Sequence, residues 1–315
     1  MRTLIVGAGA VGGYFGGRLL QAGRDVTFLV RERRAEELKR DGLIIKSPLG
    51  DVAILNPPTV TAGAISAPFD LILLSCKAYD LDSAIAAFAP AVGPQTMILP
   101  VINGLRHLDV LAERFGEDRV LGGHCIIAAT LDAQRAIVHL NDSHILTFGE
   151  RAGGSSERIS KLAAELGGAG FDANASAEIL QEMWEKWVML ASLASSTTLM
   201  RGSVGAILSA PRGSEIINGL RDECIAIAAV NGHAPRAAAL QRMTAILSTP
   251  NSPMTASMFR DIENGAPIEA DHVIGDLIAR RGNGKADRAQ LGLLDVAYAH
   301  LKTYEHRQHM QNSRP

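Results

Sequence analysis

Cysteine is scarce: Cys76, Cys125 and Cys224 are the only three, and they lie far apart along the chain. They are too few and too scattered for a zinc cluster or a disulfide framework, so no metal is expected and a reducing cytoplasm is the expected compartment. Long apolar runs are also missing. No uninterrupted stretch reaches the roughly 18 residues that a bilayer span needs, and no membrane partner is expected. Nor is there a surplus of charge. The 31 Lys and Arg against 33 Asp and Glu leave a formal charge of −2, where a nucleic-acid binder would carry a basic excess. What is present is apolar bulk. At 47% hydrophobic and 20% charged over 315 residues, the chain can bury large cores and is long enough for two domains. The apolar stretch at the N-terminus is glycine-rich and is read as a first strand, not a secretion leader.

That strand, Leu4 to Val6, runs into Gly7-Ala8-Gly9-Ala10-Val11-Gly12 and then a helical pattern through Leu20. The spacing is the G-x-G-x-x-G of a dinucleotide-binding βα turn. Gly7 permits the tight turn, Gly9 lets backbone approach a pyrophosphate, and Gly12 lets helix pack on strand. With Ala10 and Val11, these residues present N–H groups at the positive end of the helix dipole, where phosphates are held. Gly16, one turn after Gly12, extends the close packing. A second strand, Asp25 to Val30, supports the fingerprint.

The second strand ends in Arg31-Glu32-Arg33-Arg34. An acidic residue there suits NAD, whereas the planar fork of Arg31 suits the 2′-phosphate of NADP. The bland alternative is a solvated start to a helix over Ala35 to Arg40. Leu43 to Lys46 and Val52 to Leu55 flank a hairpin turn. Phe69 to Cys76 reads as a buried parallel strand that delivers Lys77 to the edge where open α/β sheets bind ligands. Thr96 to Leu99 is another, followed by Asn103-Gly104, either a plain turn or an amide at that same edge. Val120 to Thr130, Ile137 to Leu140 and His144 to Phe148 read as three more strands. The last two, separated by Asn141-Asp142-Ser143, would be antiparallel and finish the sheet. His124, His139 and His144 show no ligand spacing and are read as structural.

After a helix at Ser156 to Leu166, strand patterns stop and helical periodicity takes over from Ala177. The fold class is therefore an α/β Rossmann-type N-terminal domain, 1–176, plus an all-α C-terminal domain, 177–315. Helices are predicted over Glu178 to Met200, Arg212 to Asn231, Arg236 to Leu247, Ser257 to Asn264, Glu269 to Arg280 and Lys285 to His306. The tail from Arg307 to Pro315 is predicted to be disordered. Lys186 shares a helix face with Leu190, Leu193, Ala194 and Thr197, which leaves two readings open. Burial would lower its pKa and make it a proton donor near neutral pH, or it snorkels to water. Ser257 and Glu269 stand where helix caps and first-turn acids belong, or serve chemistry.

These pieces together, Gly7-x-Gly9-x-x-Gly12, Arg31, Cys76-Lys77-Ala78, Asn103-Gly104, Trp184-x-Lys186, Ser257-Met258 and Glu269-x-Asp271, resemble the ketopantoate reductase family over nearly the whole chain. That family moves a hydride from NADPH to the ketone of 2-dehydropantoate in pantothenate synthesis. The resemblance implies that Lys186 is the general acid and that Glu269 orients or balances it. It implies that Ser257 holds substrate, that Asn103 and Lys77 line the cofactor and substrate site, and that Arg31 takes the 2′-phosphate. The chain departs from the pattern at Leu190, Ala194 and Val204, where the family usually has asparagine, and at Ile268, where it usually has threonine. Amides replaced by alkyl groups point to a more apolar 2-keto acid as substrate. Two alternatives are a β-hydroxyacid dehydrogenase, against which Leu190 counts, and a non-catalytic NADP-binding sensor. The apolar C-terminal helices are compatible with a homodimer and equally with a core.

Overall fold

The glycine-rich turn opens a helix that is gripped between two sheets. In a computed structural model, described over residues 1–282 and 291–312, Thr3–Val6 forms β1 and Ala10–Gln21 forms α1. Then come β2 (Val26–Leu29), α2 (Glu32–Asp41), β3 (Leu43–Lys46), β4 (Val52–Ile54), β5 (Thr59–Val60) and β6 (Phe69–Leu74). These are followed by α3 (Leu81–Phe88), β7 (Val92–Pro100), α4 (Arg106–Phe115), β8 (Gly122–Leu131), β9 (Ile137–Gly149), α5 (Glu157–Leu166) and β10 (Asp172–Ala175).

The first sheet has the order β5-β2-β1-β6-β7 and all its pairings are parallel. Its central strands read as apolar runs, Leu4-Ile5-Val6 and Leu71 to Leu74, because both faces are covered. The second sheet, β10-β9-β3-β4 with β8 beside β9, is separate. The later strands thus build their own layer and do not finish the parallel sheet. Helix α1 fills the space between. A Cβ on Gly12 would stand 2.2 Å from Ser75 Oγ, and one on Gly16 would stand 2.6 Å from the Phe28 ring, both on the first sheet. On the opposite side Gly13 and Gly17 meet Ile137 and Ile45 of the second sheet at 2.5 and 2.7 Å. Four glycines in two adjacent pairs thus give one helix two flat faces.

The Asn141-Asp142-Ser143 triplet does not turn the chain. β9 is one strand of 13 residues, paired antiparallel with β8 on both sides of the triplet. Ile127 pairs with His144 and Ala129 with His139, so Leu140 to Ser143 bulge out opposite Ala128. Local polar bonds satisfy the bulge: Asn141 Oδ1 accepts from the Ser143 N–H at 3.3 Å, and the His139 ring bonds the Ser143 carbonyl at 3.0 Å. A polar triplet serves a bulge as well as a hairpin. The two histidines flanking it are structural: His139 Nδ1 meets Ser47 Oγ at 2.9 Å, and His144 Nδ1 meets the buried Tyr14 hydroxyl at 2.8 Å.

The chain divides into two compact units, Met1–Ile102 with His107–Leu180, and Asn103–Arg106 with everything from Gln181. The second unit is helical: α6 (Ile179–Met200), α7 (Val204–Ser209), α8 (Gly213–Val230), α9 (Ala237–Leu247), α10 (Ser257–Glu263), α11 (Asp276–Ala279) and α12 (Leu293–Asn312). The segment predicted to be a plain helix from Glu269 to Arg280 opens as a π-helical turn over Asp271–Gly275. The predicted start of the last helix at Lys285 lies outside the described residues. Its end is further on than predicted. Leu294, Ala297 and Leu301 are fully buried at helical spacing, and once anchored the helix propagates through Arg307 to Asn312 at little cost. The rest of the predicted disordered tail, 313–315, lies outside the described residues. Among the described residues no helix is long and apolar enough to cross a membrane.

Candidate functional site

In the first unit, the turn after β1 has the geometry that a pyrophosphate needs. Gly7 adopts φ +94°, which a side chain would strain, and its N–H donates to the Leu29 carbonyl at 3.0 Å. Gly9 is the N-cap of α1, with φ −85° and ψ −165°, and a Cβ there would meet nothing within 4 Å. No side chain caps this helix, and its first turn holds no acid. Ala10 and Val11 form that first turn, so their N–H groups belong to the set that helices leave unpaired. The cradle therefore fits an anionic nucleotide.

Around it stand the basic residues. Arg31 caps α2 and is 81% exposed, with Nη2 only 3.1 Å from Asp80 Oδ1. Lys77 is exposed immediately beyond β6, at the C-terminal edge of the parallel sheet, and starts a short 3₁₀ turn. Arg34, whose bland reading is a solvated start to the helix, lies against the glycine turn. It is 13% exposed, with Nη1 3.2 Å from Glu37 and Nη2 3.5 Å from the Ala8 carbonyl. Burial pulls its pKa down, against the pull of Glu37. Arginines three residues apart on a helix share a face only when the helix begins early, and α2 begins at Glu32, not Ala35.

The other candidates fall together in the second unit. Lys186 is half-buried on α6, with Leu190 half-buried and Leu193, Ala194 and Thr197 buried along its face. Its neighbour Glu185 is 8% exposed and paired with Arg236 at 2.7 Å. Burial raises the Glu185 carboxyl, but the hydrogen bonds from Arg236 outweigh this and hold it below the usual carboxylate range.

Two bonds attach the remaining pieces to α6. Thr197 Oγ1 donates to the Leu193 carbonyl at 2.7 Å and accepts from the Ala256 N–H at 3.4 Å, which fixes the start of α10. Trp187 Nε1 donates to the Val273 carbonyl at 2.8 Å, which fixes the π-turn just after Glu269. Ser257 is the exposed first residue of α10, but Ala256 occupies the N-cap and no side chain caps the helix, so capping does not explain the serine. Glu269 is half-buried immediately before the π-turn, and its carbonyl accepts from the Val273 N–H at 3.0 Å. Asn103, half-buried, belongs to the short segment that groups with this unit. Among the described residues no group of three His, Cys, Asp or Glu could hold a metal ion.

A parallel sheet with a glycine phosphate turn, followed by a helical domain bearing a half-buried lysine, defines a nicotinamide-dependent oxidoreductase. Comparison with known proteins makes this specific. Residues 3–153 match the model of "Ketopantoate reductase PanE/ApbA", and residues 178–305 match its C-terminal counterpart. The chain belongs to the ketopantoate reductase family. It is 37% identical to an uncharacterized oxidoreductase, YkpB, of Bacillus subtilis, covering 97% of this chain and 99% of that one. It is 27% identical to a 2-dehydropantoate 2-reductase of Halobacterium salinarum over 89% of this chain and 92% of the relative. A crystal structure of 2-dehydropantoate 2-reductase from Methylococcus capsulatus superposes with a TM-score of 0.83 at 28% identity, covering 100% of this chain and 99% of that one.

Proposed function

We propose that the chain reduces the ketone of a 2-keto acid, using NADPH, with Lys186 as the proton donor. The observation that carries this is local. Trp187, next to Lys186, bonds Val273, four residues after Glu269, so α6 and the Glu269 segment are joined where the lysine sits. When bound, NADPH supplies the hydride. The protein does the rest. Backbone N–H groups of Gly9 to Gly12 hold the pyrophosphate, and Arg31, with Lys77 nearby in the same unit, selects the 2′-phosphate over a bare hydroxyl. Asn103 and Ser257 orient the keto acid. The Lys186 ammonium places positive charge where the carbonyl oxygen becomes negative and gives that oxygen a proton, and Glu269 balances the lysine.

Leu190, half-buried one turn after Lys186, supplies an alkyl group on the lysine-bearing helix, which supports a plainer, more apolar acid over the hydroxylated 2-dehydropantoate. The test follows NADPH oxidation with 2-dehydropantoate beside a panel of branched 2-keto acids. Preference for a branched acid is the expected result. Tight NADPH binding without turnover on any of them would refute catalysis and favour a sensor. With the best substrate, Lys186→Ala should lower kcat by about 10²–10⁴ and leave NADPH affinity unchanged; near-normal turnover would sink the assignment.

A further inference from the structure

The π-helical turn Asp271–Gly275 is one residue past Ala270 from Glu269, and consecutive residues of it are tied to different parts of the second unit. Asp271 accepts from the Tyr298 hydroxyl at 2.6 Å and from Lys302 Nζ at 2.9 Å, both on α12. Val273 accepts from Trp187 of α6. His272, only 7% exposed, turns the other way, onto the Asn103-Gly104 turn. Its ring hydrogen-bonds the Asn103 backbone, a contact that favours the protonated ring and so comes from the Asn103 carbonyl. Gly104 adopts φ +79°, and a Cβ on it would stand 2.8 Å from the His272 carbonyl oxygen and 3.0 Å from ring atom Cδ2. The imidazole therefore lies flush against a turn that only glycine can make. A π-turn spends one residue more per hydrogen-bonded loop than an α-helix, and this re-aims the side chains that leave it.

We propose that His272 is a positioning residue: its ring N–H, donated to the Asn103 carbonyl, sets the Asn103 amide in register with Glu269 for the keto acid. This rests on the reading of Asn103 and Glu269 as substrate-site residues. Neutral imidazole suits the task, because it offers one donor without adding a charge to a turn that Asp276, Arg106 and Arg280 already surround. Burial keeps it neutral, with its pKa pushed down to about 4. A residue that merely filled space could be replaced by any ring of similar size.

The test compares His272→Phe, which keeps the ring and loses the donor, with His272→Gln, which keeps a donor, and places His272→Phe also on an Asn103→Ala background. His272→Phe should raise KM for the keto acid about tenfold with a smaller fall in kcat and unchanged NADPH affinity, and His272→Gln should recover most of the loss. On the Asn103→Ala background, His272→Phe should add nothing further. Amide hydrogen exchange over residues 103–106 should quicken in His272→Phe and not in His272→Gln. Unchanged exchange in His272→Phe would overturn the proposal, as would an equal kinetic effect with and without Asn103. Faster exchange with unaltered kinetics would confirm the tether but overturn Asn103 as a substrate residue, while leaving the Lys186 assignment to its own variant.

Discussion

Two glycines three residues apart in the nucleotide turn should fail in different ways when given a methyl group. At Gly12 the added carbon would be 2.2 Å from Ser75 Oγ and 2.3 Å from the Gly7 carbonyl oxygen. The serine can rotate, but the carbonyl belongs to the tight turn itself, so α1 must lift from β1 or the turn must open. Overpacking of this kind costs about 1–3 kcal/mol, or roughly 2–12 °C in Tm for a domain of this size. At Gly9 the methyl meets nothing within 4 Å, and φ −85° with ψ −165° is ordinary extended backbone for alanine. Gly9→Ala should therefore melt within about 1 °C of the parent. It should nevertheless bind NADPH at least tenfold more weakly, because the open space it fills is where the pyrophosphate would approach. The assays are thermal unfolding without cofactor and titration of NADPH fluorescence. A Gly9→Ala variant with parental affinity would refute the placement of the phosphates, and a Gly12→Ala variant with parental Tm would refute the packing argument.

The remaining predictions concern charge and shape. Arg31→Ala should weaken NADPH about tenfold and leave NADH nearly unchanged, compressing the ratio of their kcat/KM values; equal losses for both would remove Arg31 from the 2′-phosphate. Leu190→Asn, one turn after Lys186, should raise kcat/KM for 2-dehydropantoate about tenfold relative to a branched 2-keto acid, and an unmoved ratio would mean that this face of α6 does not meet the substrate. His272 should also show in stability against pH. Its folded pKa of about 4 lies below the ordinary 6.5, so as pH falls through 6.5 the unfolded chain takes up the proton first. Its contribution is whole above pH 6.5 and declines by about 3 kcal/mol on the way to pH 4. His144, His233 and His300, also held low by burial, act in the same direction, so the measurement is the difference between the parent and His272→Gln. Parallel stability curves would refute the assignment.

Much of the first unit was legible because its rules are local. Apolar runs for β1 and β6, the glycine spacing, and the helix over Ser156 to Leu166 each need only a few neighbouring residues to be read. What escaped depends on partners far along the chain. The packing role of Gly13 and Gly17 is not legible locally, since nothing near them in sequence says that a second sheet lies on their side. The single strand β9 reads as two because a polar triplet ends a strand unless a partner pairs on both sides of it, as β8 does around the bulge. β5 and β10 are too short, and α7 too brief, for periodicity to show.

In the second unit the hidden information is chemical. Ser192, Ser196, Thr197 and Thr198 are fully buried on α6, and each hydroxyl donates to the carbonyl four residues earlier. A hydroxyl so occupied behaves as a small apolar filler, so a run that reads as polar in sequence forms a packed face. Thr197 has a second use, because its oxygen also accepts from Ala256 and holds the start of Ser257's helix. Trp187 does the same for the Glu269 segment, through a single indole N–H. Lysine, serine and glutamate could be picked out from a family pattern, but the residues that bring their segments onto one helix are a threonine and a tryptophan whose neighbours in sequence are ordinary core. The serine and glutamate proposed for the site are thus carried on segments that α6 ties down one at a time. Altering Thr197 should disturb the serine's side of the site and spare the glutamate's, and altering Trp187 should do the reverse.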